Sequence, residues 1–392
     1  MILKRGGELL QSVLRYENFA RHDWLPEMTP SATPLVRPVA EAGVPPFEPH
    51  PWVRGGHAQT IAGRYLPDGR GPLPSASRRI RLDDGDQLLA RESIPRGWRS
   101  GDPAALILHG LAGCSESPYV VRLAWRLLEL GVRVVRLNLR GAGAGAALAR
   151  GTYHAGRTDD VRQALGWLSL RTGGSPLALV GFSLGGNLAL KLAAEVSAAN
   201  LAELDCVLAA NPPIDLEACA RRMRRPENRI YDWNFVRWLR RSTLRHHRTF
   251  PELGPVDLRG IRSVYDFDDR VTAPRHGFSS AHDYYARCSS RPLIPQIRQA
   301  GLVVHAADDP LIPLDPLRET PWPVNLTLEI TLHGGHLGYL SRHRAGGDRR
   351  WLELRMACWL AQHWGLRPGP SNLAAPPLNG RRCHHGVSTN HA

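Results

Sequence analysis

Lysine is almost missing from this chain: of 50 basic residues only Lys4 and Lys191 are lysines, which leaves 48 arginines. The formal charge of +14 and pI near 10.2 would ordinarily point to nucleic acid or an anionic membrane. Such an arginine skew fits a GC-rich coding sequence as well as it fits a selected basic patch. It is spread along the chain, with local runs only at Arg221-Arg222-Met223-Arg224-Arg225 and between Arg237 and Arg248. No zinc-finger, helix-turn-helix or RNP signature accompanies it, so no nucleic-acid partner is expected. The six cysteines (114, 206, 219, 288, 358 and 383) form no C-x-x-C pair and no regular spacing, which argues against a disulfide framework and for a reducing, cytoplasmic setting. Cys206 and Cys358 sit in apolar surroundings and read as small core residues. His384-His385 beside Cys383 lacks a full ligand set, and no metal is expected. No stretch supplies about twenty unbroken apolar residues, so no membrane span is expected, although peripheral membrane contact stays open. The first seventeen residues carry charge from Lys4-Arg5 onward and lack a signal-type apolar core. Internal repeats are absent. With 43% hydrophobic and 22% charged residues, the remaining composition is that of a globular protein.

Against that background one segment stands out. Leu177-Ala178-Leu179-Val180 is an apolar run, Gly181-Phe182-Ser183-Leu184-Gly185-Gly186 follows, and Asn187 to Ala194 has helical spacing. A strand, a Gly-x-Ser-x-Gly turn and a helix are the context of a nucleophile elbow. The turn is strained and its neighbours approach closely, so a Cβ at Gly181 or Gly185 would clash. Ser183 Oγ is then lifted above the sheet, with the Leu184 amide at a helix N-terminus facing any developing oxyanion.

Such a serine needs a base and an acid further along the chain, in the order Ser, Asp, His. Gly301 to Ala307 reads as a buried strand ending at Asp308-Asp309-Pro310-Leu311-Ile312-Pro313. Asn325 to Leu332 alternates and ends at His333-Gly334-Gly335-His336. Serine is a poor nucleophile until a base takes its proton, and the acid fixes the imidazole tautomer. Asp309 is chosen as the acid, with Asp308 the alternative. His336 is chosen over His333 because Gly334-Gly335 lets the backbone swing it inward. The second oxyanion donor is expected on the loop after Ala104 to Leu108, at His109-Gly110-Leu111-Ala112-Gly113, from the Leu111 amide. His109 is read as a loop brace. A competing pattern, Gly141-x-Gly143-x-x-Ala146 with Asp159-Asp160 downstream, fits a dinucleotide fingerprint. It follows a strand that is not the first of its sheet, and no cofactor is expected.

Together these motifs resemble the hydrolase-4 branch of the α/β-hydrolases, the YheT-like esterase group. The resemblance runs from about Pro51 to Trp364. It is carried by Gly56-His57-Ala58-Gln59-Thr60-Ile61, by the His109 loop with Ser115-Glu116-Ser117-Pro118-Tyr119, and by Leu137-Asn138-Leu139-Arg140-Gly141. It continues through Tyr153-His154-Ala155-Gly156, the Ser183 elbow, Tyr265-Asp266-Phe267-Asp268-Asp269 with Pro274, Asp308-Asp309-Pro310 and Gly334-Gly335-His336. It implies a serine esterase acting on carboxylic esters of short- to medium-chain acyl groups or acylglycerol-like lipids, with Ser183, Asp309 and His336 as catalytic residues. Acyl transfer to an alcohol acceptor and a non-catalytic binding role are the alternatives. Gly141 to Ala146 departs from the more polar loop associated with the family.

The expected organisation is an extension over 1–46, with a helix over Glu8–Arg21, then an α/β domain over 47–366 and a disordered tail over 367–392. Strands at 105–108, 132–139, 176–182 and 205–210 alternate with helices at 118–130, 158–170 and 184–196, which argues for a mostly parallel central sheet with helices on both faces. Thr158 is the expected N-cap of its helix. Residues 212–300 break the rhythm and read as a helical lid whose Tyr231, Trp233, Phe235 and Trp238 form lid core. A last helix is expected over Arg349 to Trp364. The expected partner is a small-molecule ester, and oligomeric state is left open.

Overall fold

The computed structural model describes residues 44–66, 71–199, 204–345 and 348–366. The expected helix over Glu8–Arg21 and the expected tail over 367–392 lie outside them. Eight strands form one sheet: β1 (Ala76–Arg81), β2 (Gln87–Ser93), β3 (Ala104–Leu108), β4 (Arg133–Asn138), β5 (Leu177–Phe182), β6 (Cys206–Ala210), β7 (Ala300–Ala306) and β8 (Leu326–Thr331). Their order is β1-β2-β4-β3-β5-β6-β7-β8; the β1–β2 and β2–β4 pairings are antiparallel and the other five are parallel. β3 to β6 are buried at every residue, as parallel strands covered on both faces must be.

Alternate residues of those strands feed two apolar layers. Leu106, Leu108, Leu177 and Leu179 pack with α3 (Thr158–Thr172) and α4 (Leu184–Ala198). Ile107, Ala178, Val180 and Phe182 pack with α2 (Pro118–Glu129) and the final helix α8 (Trp351–His363). Cys206 is fully buried in the second layer, whereas Cys358 is only part-buried against it. Arg122 of α2 and Glu353 of α8 pair at 2.6 Å with both side chains almost wholly buried, tying the two helices together.

The residues of β1 and β2 were not assigned from sequence. Ser77, Arg78, Arg79 and Arg81 make β1 a charged, half-exposed edge, which lacks the apolar run that betrays a central strand. Thr158 is the first residue of α3, not its cap; Asp159 and Asp160 do occupy the first turn.

Between β6 and β7 the chain leaves the sheet. α5 (Leu216–Met223), α6 (Arg229–Thr249) and α7 (Ala281–Cys288) carry it, with a π-helical turn at Asp268–Thr272. No helix among the described residues is long and apolar enough to cross a membrane.

Candidate active site

Ser183 follows β5 directly and caps α4, with φ 52° and ψ −123°. A side chain other than glycine rarely holds a positive φ, and such strain persists only where the surroundings over-determine it. Two hydrogen bonds fix the turn: Ser183 N–H donates to Ala210 O at 2.8 Å, and Gly186 N–H donates to Ser183 O at 2.7 Å. The flanking glycines are needed for space. A Cβ at Gly181 would fall on the Gly185 carbonyl, and one at Gly185 would lie 2.6 Å from the His109 carbonyl oxygen.

The residues singled out in the sequence meet at the C-terminal edge of the parallel strands. Ser183 Oγ lies 2.9 Å from His336 Nε2, and His336 Nδ1 lies 2.8 Å from Asp309 Oδ2. Asp309 is buried. Burial alone would raise its carboxyl, but the His336 ring, nearby His305 and the Leu311 amide outweigh it and hold the carboxyl below its ordinary range. An ionised carboxylate only accepts, so His336 Nδ1 carries the hydrogen and Nε2 is free to accept from the serine hydroxyl. Leu311 N–H and Ile312 N–H donate to Asp309 Oδ1 at 2.8 and 3.1 Å.

Asp308 is turned elsewhere. Its Oδ1 accepts from Gly335 N–H at 2.8 Å and its Oδ2 faces the half-exposed His333 ring at 3.3 Å. Adjacent acids therefore hold adjacent imidazoles apart. Gly334 and Gly335 make the divergence with φ of 142° and 58°.

The Gly56 to Ile61 motif grips this same loop. It forms α1 (Gly56–Tyr65), whose Thr60 Oγ1 accepts from His336 N–H at 2.8 Å. Gln59, fully buried, donates to Leu340 O and accepts from Leu340 N–H. A Cβ on Gly56 would overlap the Asp308 carbonyl, so the helix can approach only without one.

Around the expected oxyanion donors, two tyrosines hold the loop after β3. Gly110 N–H donates to Tyr119 Oη and Ala112 N–H to Tyr153 Oη, each at 3.1 Å. Ala112 itself has φ 61°. Leu111, between them, shares a cavity wall with Leu184, Ser183 and His336. His109 braces the loop: Leu139 N–H donates to its Nε2 at 3.1 Å, so its Nδ1 carries the hydrogen and donates to Gly110 O at 2.8 Å. Burial pushes the His109 ring down to about 4, which keeps it neutral and suits it to bracing.

The cavity measures about 180 Å³ and is roofed by the helical segment between β6 and β7. Phe235 and Trp238 line it, which corrects the expectation that these aromatics are lid core alone. Trp233 lies on the surface under the Arg237 guanidinium, and Tyr231 Oη bonds His57 Nδ1 at 3.1 Å. The glycine run after β4 carried the competing dinucleotide pattern. It forms a short 3₁₀ turn at Gly143–Leu148, and Arg140 grips Asp160 through two bonds of 2.8 and 2.6 Å while also meeting Asp84 and Asp86.

Sequence reasoning missed Asn211. It follows β6 with φ 45°, and its amide donates to Asp309 Oδ2 at 2.7 Å and to Gly335 O at 3.2 Å. A polar residue closing an apolar strand ahead of Pro212-Pro213 was the available signal. Tyr119, Tyr153 and Arg140 lay inside the family motifs but had no stated role, since their partners are distant in the chain.

A family profile for the alpha/beta hydrolase fold matches residues 103–342. YheT of Escherichia coli, which carries an esterase name, is 32% identical over 294 residues, spanning 73% of this chain and 84% of the relative. The monoacylglycerol lipase of Saccharomyces cerevisiae is 30% identical over 296 residues, 71% of this chain and 64% of that protein. The mouse phospholipase ABHD3 is 26% identical over 308 residues, 75% of this chain and 73% of its own. Among solved structures, the α/β hydrolase GrgF from Penicillium matches with TM-score 0.50 at 20% identity, over 75% of this chain and all of that one (100%). This last likeness is one of fold. Fold, family profile and named relatives agree: the chain belongs to the α/β-hydrolase family, in its YheT-like esterase branch, and is a carboxylic ester hydrolase.

Proposed function

We propose that Ser183, His336 and Asp309 hydrolyse carboxylic esters through an acyl-enzyme. The observation that carries this reading is the continuous relay from Ser183 Oγ to His336 Nε2 at 2.9 Å and from His336 Nδ1 to Asp309 Oδ2 at 2.8 Å. Ser183 Oγ attacks the ester carbonyl carbon while its proton passes to His336 Nε2. The carbonyl oxygen becomes an oxyanion held by the Leu111 and Leu184 amides. His336 then gives the proton to the leaving alcohol, and the tetrahedral centre collapses to an ester on Ser183. Water, deprotonated by the same imidazole, releases the acid and restores the serine. Asp309 keeps the imidazole oriented and stabilises its charged form. Asn211 and the Leu311 and Ile312 amides in turn fix Asp309.

The helical segment between β6 and β7 acts as a lid over this site. The size of the cavity favours compact acyl groups: about 150 Å³ is enough for benzene, so a cavity of about 180 Å³ suits a chain of roughly six carbons. On p-nitrophenyl esters from acetate to palmitate, kcat/KM should peak among the short chains. A rate climbing steadily to palmitate would show that the acyl chain lies elsewhere. Labelling by a fluorophosphonate, lost in Ser183→Ala, tests the nucleophile itself. Well-folded protein that takes no label would end this reading.

A further inference from the structure

The mechanism leaves one acid of the cavity wall without a task. Asp268 belongs to the Tyr265 to Asp269 motif and opens the π-helical turn Asp268–Thr272. Such turns are rare and often mark functional sites. Asp268 lines the cavity that holds Ser183. The Tyr285 hydroxyl donates to Oδ2 and the Thr272 hydroxyl to Oδ1, both at 2.8 Å. Among the described residues no cation pairs with it, and burial pushes its carboxyl up to about 6. A carboxylate has about four acceptor positions, and these hydroxyls use two.

A second unfilled acceptor lies behind the same wall. His246 Nε2 lies 3.2 Å from the Ala149 carbonyl, which only accepts, so Nε2 carries the hydrogen and Nδ1 is an acceptor. That Nδ1 is buried with no donor among the described residues. Buried acceptors left unfilled are costly, and a ligand that supplies hydrogens relieves the cost. Arg275, also in the wall and without an acidic partner among the described residues, disfavours an ammonium in that place. The complementary group is a neutral hydroxyl.

We propose that Asp268 accepts a hydrogen bond from a free hydroxyl on the ester bound at Ser183, so that the enzyme selects hydroxylated esters over matched esters without one. This rests on the Ser183 reading above. The hydroxyl can come from the alcohol or the acyl side, and two substrate pairs separate these sources: 2-hydroxyethyl against propyl butyrate, and methyl 6-hydroxyhexanoate against methyl heptanoate.

Wild-type protein should favour the hydroxylated member of one pair by roughly tenfold or more in kcat/KM, because a site built around a hydroxyl rejects its alkyl analogue. In Asp268→Leu that ratio should fall towards one. A second measurement needs no variant: the wild-type ratio should rise with pH through about 6 as Asp268 ionises. Tyr284, Tyr285 and Cys288 of α7, which face Asp268, have their ionisations pushed upward by burial and stay neutral there. In the same wall burial holds His154 near 3 and His276 near 4, and lowers His246, while Arg275 stays charged. A ratio near one for both pairs, a ratio unmoved in Asp268→Leu, or a ratio flat with pH would each overturn the proposal. Failure of the Ser183 reading looks different: no hydrolysis of any of the four esters and no fluorophosphonate label.

Discussion

Asp268 should cost this protein stability at neutral pH, and replacing it with asparagine should recover that cost in a pH-dependent way. Its carboxyl is pushed from the ordinary 3.8 up to about 6 by burial, opposed only in part by the Thr272 and Tyr285 hydroxyls. An acid whose folded pKa exceeds its unfolded value gives up its proton first in the unfolded chain. The penalty is therefore absent below about 3.8, grows between the two values and is complete above about 6. A gap of roughly two units at 1.36 kcal/mol each amounts to ~3 kcal/mol. About half of that, ~1.4 kcal/mol, develops between pH 5 and pH 8 by the same linkage. Asparagine matches the shape, accepts through its oxygen and can donate to a hydroxyl through its amide, so both hydroxyl partners keep a bond. Urea unfolding of wild type and Asp268→Asn at pH 5 and pH 8 isolates the effect. Other carboxyls, Asp309 among them, are held low and drive stability the opposite way, but they are common to both proteins and cancel in the difference. The variant should gain ~1.4 kcal/mol on wild type between the two pH values. Unfolding curves that keep a constant separation would refute the reasoning.

Three further outcomes are expected. Ser183→Ala and His336→Ala should each lower kcat by ~10⁵–10⁶-fold, and the double variant should fall little further, because both serve one proton transfer; a multiplicative loss would separate their roles. Asn211→Leu removes one donor from Asp309, which makes that carboxylate more basic and strengthens its pull on His336. The acidic limb of the kcat/KM profile should move to higher pH, with kcat reduced about tenfold for one lost hydrogen bond, and an unchanged profile would place Asn211 outside the relay. Glu353→Ala strands the Arg122 guanidinium, whose side chain is 2% exposed, and should cost ~3–5 kcal/mol in thermal or urea unfolding with the active-site distances untouched.

The sequence by itself determined the centre of this fold. Strands β3 to β6 were legible because a strand buried on both faces must be apolar throughout, and Ser183 because its turn must have glycine where Gly185 meets the His109 carbonyl. The chain order of Ser183, Asp309 and His336 was legible because the latter two follow the ends of strand-like runs. Tertiary structure alone decided the rest. Asp308 and Asp309 differ by one position and each pairs with a histidine; the sequence favoured Asp309 and kept Asp308 as the alternative, while the positive φ of Gly334 and Gly335 and an Asn211 donor 98 residues away set which histidine each one meets. β1 stayed hidden because an edge strand can carry Arg78 and Arg79 without penalty. Asp268 reads in sequence as one acid in a polar helical region; only the closing of that region over the sheet buries it without a cation partner among the described residues and makes it part of the cavity wall.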